Sequence, residues 1–164
     1  MSPIRSPHPR GGLYFEDFVV GETFQHKLTR TVTQMDNILF SNMTLNPQPL
    51  HIDAHFCETE TEWGKPIMNS FFTLGLMVGM SVNDLTVGTT IANLGLTDVA
   101  FTAPVFEGDT IRATTEVLSL RESRSRADAG LVEFLHCAYK QDGAQVAKAR
   151  RTAFMKRRNV TVSV

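Results

Sequence analysis

The sequence has few cysteines and no excess of charge of either sign. Its two cysteines, Cys57 and Cys137, do not form a Cys-x-x-Cys pair, which argues against a zinc site or a redox motif and implies no disulfide framework. Its 16 Lys and Arg residues nearly cancel its 17 Asp and Glu residues, which argues against a broad nucleic-acid-binding surface. We therefore predict a protein without a metal ion and without a nucleic-acid partner.

Long hydrophobic runs are lacking as well. The longest run, residues 67–82, is interrupted by polar side chains and is too short to cross a bilayer. Residues 1–12 are rich in Pro, Arg and Ser and contain no apolar core of a signal peptide, so we predict a disordered N-terminal arm. From these absences we expect a soluble, cytoplasmic protein that does not bind membranes.

The length of the chain, 164 residues, corresponds to one domain. No internal repeat or linker interrupts it, and we assign the domain to residues 13–158 and a C-terminal tail to residues 159–164. A chain of this size buries roughly 70% of its unfolded surface, so one hydrophobic core is enough to stabilise it.

The second half of the sequence has the pattern of antiparallel strands. Apolar and polar residues alternate over residues 110–119, and residues 131–139 and 144–155 are two further strand-like segments. Asp-Gly at positions 142 and 143 separates the last two and is a strong hairpin signal. Residues 23–33 predict an earlier strand, because they are rich in β-branched residues, and residues 89–96 and 99–101 are two further short strand-like runs.

One helix, predicted over residues 69–83, is apolar on every side. Asn69 or Ser70 would be its N-cap, and Gly75 and Gly79 would allow another element to approach closely. A helix of this kind must be covered by the rest of the protein. We therefore predict an α+β fold in which a curved antiparallel sheet wraps around a central helix. Because such a sheet leaves edge strands to be covered, we expect a homodimer or a higher homo-oligomer.

The stretch that carries most of the polar chemistry is the proline loop, residues 44–53. Pro47 and Pro49 are incompatible with a helix interior or a central strand, and each favours an extended conformation of the residue before it. We therefore predict a stiff, irregular segment. The loop presents His51 and Asp53. Histidine is the residue type whose unperturbed pKa lies nearest to neutral pH. An ordinary surface turn with a solvated His51 is the alternative, and Asp53 is more typical of an N-cap for the following helix than of a catalytic group.

Several motifs follow one another in a characteristic order. They are Phe18-x-x-Gly21, Thr31-Val32-Thr33 with Asp36, the proline loop, Met68-Asn69-Ser70, and Phe101-x-x-Pro104-Val105-Phe106-x-Gly108-Asp109. In this order they resemble the MaoC-like dehydratases, the group of (R)-specific enoyl-CoA hydratases, which have the hot-dog fold. The resemblance covers most of the chain, from residue 13 to residue 157.

The resemblance implies functional roles at particular positions. The family motif Asp-x-Asn-Pro-x-His corresponds here to Asn46-x-Gln48-Pro49-x-His51, so an amide replaces the catalytic aspartate. His51 is then expected to be the general base, and Asn46, which cannot exchange a proton near pH 7, to orient water or the substrate carbonyl. The remaining predicted site residues are Gln48, Asp53, Asn69 and Ser70 for the substrate and Arg150, Arg151 and Lys156 for the phosphates of coenzyme A.

The implied activity is the reversible hydration or dehydration of an acyl-CoA thioester, with coenzyme A as part of the substrate and no separate cofactor. The Asn-x-Gln-Pro-Leu-His version of the motif is similar to family members that act on short branched or dicarboxylic acyl groups, such as mesaconyl-CoA or β-methylmalyl-CoA. Two alternatives are an acyl-CoA-binding hot-dog protein with impaired catalysis and an acyl-CoA thioesterase, since one fold supports many activities.

Overall fold

A computed structural model of the chain describes residues 7–158. The predictions for residues 1–6 of the N-terminal arm and for the tail, residues 159–164, lie outside the described residues. The rest of the arm contacts the domain, because the Gly12 N–H donates to the Val87 carbonyl at 3.1 Å and the His8 N–H donates to the Gly12 carbonyl.

Six strands form an antiparallel sheet across the described residues. They are β1 Thr23–Gln25, β2 Arg30–Thr31, β3 Thr90–Phe101, β4 Thr110–Glu122, β5 Ala129–Tyr139 and β6 Gln145–Lys156. Their spatial order is β1–β4–β5–β6–β3, and β2 also pairs with β4. The predicted meander is confirmed, since β4 pairs with β5 and β5 with β6 in antiparallel register.

The single strand predicted over residues 23–33 is wrong in one respect, because it is divided into β1 and β2. The His26 side chain turns into the domain, where Nδ1 lies 3.2 Å from Asp84 Oδ2. The next residue, Lys27, donates its N–H to the same carboxylate oxygen rather than to β4. These contacts interrupt the ladder for four residues.

Four α-helices occur in the described residues, and one of them is central. They are α1 Gln34–Met43, α2 Pro49–Ile52, α3 Ala54–Glu60 and α4 Ser70–Ser81, which continues into a π-helical turn over Val82–Thr86. The inner face of α4 buries Leu74, Met77 and Met80 against β4, β5 and β6. The α+β fold with a central helix on an antiparallel sheet is therefore confirmed. Within residues 7–158, every helix is too short or too polar to span a bilayer.

The outer face of α4 is open in the single chain. Phe71 is 67% exposed, and a Cβ atom added at Gly75 or Gly79 would have no neighbour within 4 Å. The sequence had suggested that another element approaches the helix closely at these two glycines. Among the described residues, no other part of the same chain does so. The sheet covers one side of the helix only.

A chain of buried polar groups lies behind the far end of α4. Thr115 Oγ1 is 2.7 Å from His26 Nε2 and 2.7 Å from His136 Nδ1. The Asp84 carboxylate accepts from His26 Nδ1, so the neutral His26 ring must accept from the Thr115 hydroxyl, which in turn accepts from His136 Nδ1–H. Both histidines are buried.

Burial lowers the pKa of both histidines. For His136 the pKa falls from 6.5 to about 3, because the ring is desolvated and because the positive charge of Arg151 opposes protonation. Burial also lowers the pKa of His26, although the Asp84 carboxylate acts in the opposite direction. Both rings are therefore neutral in the folded protein near pH 7.

The buried histidines predict that the protein loses stability in mild acid. Between pH 6.5 and pH 5 the unfolded chain takes up a proton at residue 136 and the folded protein does not, which lowers the free energy of unfolding by roughly 2 kcal/mol for this residue. Stability contributed by His136 is thus complete above pH 6.5 and decreases as the pH falls towards 3. Urea denaturation of the wild type and of His136→Leu at both pH values measures the effect. An equal pH-dependent loss in the two proteins would contradict it.

Candidate active site

His51 is held in a fixed orientation beside the start of the central helix. Pro49 occupies the first position of α2, where a missing N–H costs nothing, and the short helix directs His51 inward until it is 8% exposed. Nδ1 of the ring lies 2.9 Å from the Ile67 carbonyl oxygen. Because a carbonyl oxygen only accepts hydrogen bonds, Nδ1 carries the proton. The lone pair of the neutral ring is therefore on Nε2, which is the atom able to act as a base.

Two amide side chains from α1 fix the backbone of His51. Asn37 Nδ2 and Gln34 Nε2 both donate to the His51 carbonyl oxygen, at 2.8 Å and 2.9 Å. The backbone of the same segment is also tied to residue 67, since the Ile67 N–H donates to the Leu50 carbonyl. The proline loop is thus joined both to α1 and to the segment that precedes α4.

The N-terminus of α4 supplies polar donors next to this loop. Asn69 is its N-cap, and its side-chain oxygen accepts from the Phe71 N–H at 3.0 Å. Ser70 is the first helical residue, and its N–H belongs to the first turn, whose donors have no carbonyl partner inside the helix. The helix dipole adds partial positive charge at this end, which favours a negatively charged oxygen.

A cavity of about 290 Å³ opens at the same end of α4. Ser70, Thr73 and Ile67 contribute to its wall, together with Trp63, Met68, Val146 and residues 101–105. Ile67 therefore connects the two parts of the site. It lines the cavity, and its carbonyl oxygen accepts the hydrogen bond that orients the His51 ring. The wall is mostly apolar, which suits a short acyl chain.

Asn46 lies on the other side of the proline loop, at the end of α1. The α1 helix ends in a Schellman motif, in which the Asn46 N–H donates to the Ser41 carbonyl at 2.9 Å and the Leu45 N–H to the Asn42 carbonyl. Leu45 has the left-handed φ of 55° that this motif requires and that glycine usually supplies. Asn46 Oδ1 accepts from the N–H of Gln48, whose side chain is exposed. The catalytic role of Asn46 and the substrate-binding role of Gln48 stay predictions.

Asp53 has the capping role that the sequence favoured. Its Oδ1 accepts from the Phe56 N–H at 3.0 Å, at the N-cap of α3. A carboxylate used in this way stabilises the start of the helix, and a substrate-binding role for it stays a prediction.

The three basic residues predicted to bind coenzyme A do not form one group. Arg151 lies on the inner face of β6 and is 4% exposed, so its prediction as a contact for external phosphates is corrected. Arg150 is exposed on the opposite face, paired with Asp98 at 3.1 Å, and Lys156 Nζ donates to the Gly88 carbonyl. Six residues of strand separate Arg150 from Lys156, about 20 Å, which is too far for one pyrophosphate to contact both. Contact of coenzyme A with Arg150 or with Lys156 stays a prediction.

Metal binding has no support in the described part of the chain. Among residues 7–158, no group of three or more His, Cys, Asp and Glu side chains is placed to hold a metal ion. Cys57 is buried under α2, and burial raises the pKa of its thiol, so it stays protonated.

Comparison with known proteins places these features in a family. Residues 17–133 match the family model described as the MaoC like domain. The chain belongs to the MaoC-like domain family. Beta-methylmalyl-CoA dehydratase of Chloroflexus aurantiacus is 32% identical to this MaoC-like chain over 113 residues, which are 69% of this chain and 32% of the relative. Mesaconyl-CoA hydratase of Cereibacter sphaeroides is 28% identical over 148 residues, which are 90% of this chain and 42% of the relative.

The MaoC-like chain thus spans between about a third and two fifths of the length of these two relatives. Among solved structures, a monoamine oxidase regulatory protein of Archaeoglobus fulgius superposes with a TM-score of 0.79 at 33% identity, covering 89% of this chain and 95% of that one. A Mycobacterium tuberculosis protein with a double hot-dog fold superposes with a TM-score of 0.81 at 24% identity, covering 92% of this chain and 46% of that one. The predicted hot-dog fold is confirmed.

Sequence reasoning missed two members of the MaoC-like site, Asn37 and the Ile67 carbonyl. Asn37 lies four residues after the N-cap of α1, and asparagine has a low helix propensity at such a position. This unfavourable choice of residue was the feature of the sequence that could have indicated a special role. The Ile67 carbonyl had no signal, because a backbone group is the same at every residue.

The geometry at Asp53 predicts that two substitutions have different effects. Asp53→Ala should lower the free energy of unfolding by about 1 kcal/mol through loss of the N-cap, while Asp53→Asn, which caps equally well, should leave it unchanged. If the carboxylate has no chemical role, Asp53→Asn should also keep the activity on enoyl-CoA substrates. Urea denaturation and initial rates measure both. A stable but inactive Asp53→Asn protein would assign the carboxylate to the chemistry.

Proposed function

We propose that this MaoC-like protein catalyses the reversible addition of water to an α,β-unsaturated acyl-CoA thioester. The observation that carries the proposal is the hydrogen bond from His51 Nδ1 to the Ile67 carbonyl, at 2.9 Å, which leaves Nε2 free to accept a proton. Ile67, whose carbonyl holds the ring, also lines an apolar cavity at the N-terminus of α4, and the cavity and this helix end are the other two parts that this chemistry requires.

The reaction follows from the roles of these groups. His51 Nε2 takes a proton from water as the water oxygen attacks the β carbon of the substrate. The electron pair of the double bond moves to the α carbon and the thioester oxygen, where the Ser70 N–H and the α4 dipole stabilise the negative charge. The imidazolium then returns its proton to the α carbon, directly or through water. Dehydration is the same sequence in reverse.

In this proposal His51 is the only group of the loop that exchanges a proton. Asn46 occupies the position of the family's aspartate, and its amide can hold water or a carbonyl oxygen in place but cannot titrate. The same replacement is the observation that favours the alternative, an acyl-CoA-binding protein with impaired catalysis. The two differ in whether the bound thioester turns over.

For the acyl group we propose a short branched or dicarboxylic chain, such as that of mesaconyl-CoA. The modest cavity volume, about 290 Å³, favours a short chain. The amides of Asn46 and Gln48 could donate hydrogen bonds to a second carboxylate, which an ionised aspartate could not. Relatives named beta-methylmalyl-CoA dehydratase and mesaconyl-CoA hydratase support the same class of substrate.

We further propose that the protein works as a homodimer in which a second copy covers the open face of α4. The exposed residues of that face continue onto β3, an edge strand of the sheet, since the Phe71 ring packs edge-on against Phe101 with centroids 6.4 Å apart. Leu94 and Val99 on β3 are 55% and 40% exposed. Apolar surface of this kind next to an unpaired strand edge favours association.

Turnover assays test the function. Incubation with crotonyl-CoA and with mesaconyl-CoA should consume the alkene without releasing free thiol, and mesaconyl-CoA should have the higher kcat/KM. His51→Ala should lower kcat/KM by at least about 10²-fold, the usual contribution of general acid–base catalysis. His55→Ala is the matched control, because His55 is exposed on α3 four residues away. Free thiol would indicate a thioesterase, binding without turnover would indicate the non-catalytic alternative, and an active His51→Ala protein would refute the site.

The dimer predicts an effect of charge at Gly75. Gly75→Arg is sterically free in the single chain but would place a cation between two apolar faces, so the variant should sediment as a monomer while the wild type sediments near twice 18.3 kDa. Met43→Arg, at a residue that is 82% exposed on α1, is the control and should keep the wild-type mass. Wild-type protein that remains monomeric at micromolar concentration would contradict the proposal.

A further inference from the structure

Asn37 is directed into the protein by the way α1 begins. Thr33 is the N-cap, and it forms a capping box with Asp36, whose carboxylate accepts from the Thr33 N–H at 2.9 Å. This fixed start places Asn37 at the fourth helical position with its side chain 0% exposed. Asparagine at such a position is disfavoured by helix propensity and by burial, so contacts of its amide must compensate.

The Asn37 amide contacts three backbone groups of the site. Nδ2 donates to the His51 carbonyl at 2.8 Å and to the Ile67 carbonyl at 3.0 Å. Oδ1 accepts from the Asn69 N–H at 2.9 Å. The Ile67 carbonyl oxygen is therefore shared between Asn37 and the His51 ring, whose Nδ1 donates to it at 2.9 Å.

We infer that Asn37 is a positioning residue that sets the distance and direction between the base, His51, and the N-terminus of α4. The inference rests on the proposed hydration reaction, in which these two elements act on opposite ends of the same conjugated thioester. One planar amide joins the peptide of His51, the carbonyl that orients its ring and the N-cap of α4. A displacement of either element relative to the other would misalign the water and the thioester oxygen together.

Only an amide can make this set of contacts in the space available. A carboxylate of the same shape accepts hydrogen bonds and donates none, so it would face two carbonyl oxygens without a proton to share. Leucine has a similar volume and makes no polar contact, so the Ile67 carbonyl would keep its contact with the His51 ring and lose the one that ties it to α1. Gln34 donates to the His51 carbonyl as well, at 2.9 Å, and is the matched comparison because its amide contacts only one of the three groups.

A double-mutant cycle tests the inference. In the wild-type background, Asn37→Leu should lower kcat/KM for the best enoyl-CoA substrate by at least tenfold and up to the order of 10²-fold, as misplaced reacting groups do. Gln34→Leu should lower it by less than about threefold, because Asn37 still donates to the same carbonyl. In the His51→Ala background, Asn37→Leu should cost less than about twofold more, since a residue acting through His51 has nothing left to position. A full additional loss there, as misfolding would cause, overturns the inference.

A measurement without substrate separates this inference from the proposed reaction. In ¹⁵N–¹H spectra of the ring nitrogens, the signal that is lost in His51→Ala identifies the Nδ1–H of His51. Its exchange with water should be at least tenfold faster in Asn37→Leu than in the wild type and unchanged in Gln34→Leu. If this holds while no enoyl-CoA turns over, the proposed reaction fails and the positioning role stands. If exchange is unchanged in a folded Asn37→Leu protein, the positioning role is refuted whatever the activity.

Discussion

The carbonyl oxygen of Ile67 is the group on which the site depends. It accepts from the His51 ring and from the Asn37 amide, which uses both lone pairs. Through the first contact it selects the tautomer of His51, and through the second it is held by α1. Ile67 also leads into α4, whose first residues line the cavity. The position of one backbone oxygen thus links the tautomer of His51 to the N-terminus of α4, where a negatively charged oxygen is favoured.

Two of the polar networks within residues 7–158 have different consequences. The chain through His26, Thr115 and His136 lies in the core behind α4, and its rings stay neutral because burial lowers their pKa. Arg151 nearby has a pKa lowered to about 10 by burial and is still charged near pH 7. Its guanidinium lies over the Phe134 ring, 5.4 Å from the centroid, which compensates part of the desolvation. The network around His51, by contrast, includes Ile67, which lines the cavity at the start of α4.

The open face of α4 is of a kind that a second domain with the same fold could cover. The sheet covers one side of the helix, and the other side exposes Phe71 and two glycines next to the β3 edge. Two relatives are more than twice as long as the matched region of this chain, and a structure with a double hot-dog fold superposes on it. A second copy of the same domain would bury this apolar surface against an identical one, which is the arrangement that a dimer requires.

What the sequence determined by itself was the pattern of elements and the choice of His51 as the candidate base. Period-two alternation fixed β4, β5 and β6, since a shift of one residue would expose their apolar faces, and the apolar run after Asn69 fixed the central helix. The prolines and His51 identified the loop. The tertiary structure decided the rest: that Arg151 faces inward, that the strand predicted over residues 23–33 is divided after His26, and that Asn37 and the Ile67 carbonyl hold His51. Contacts between residues 30 positions apart, such as Asn37 with Ile67, follow from how helices and loops pack, and no local pattern encodes them.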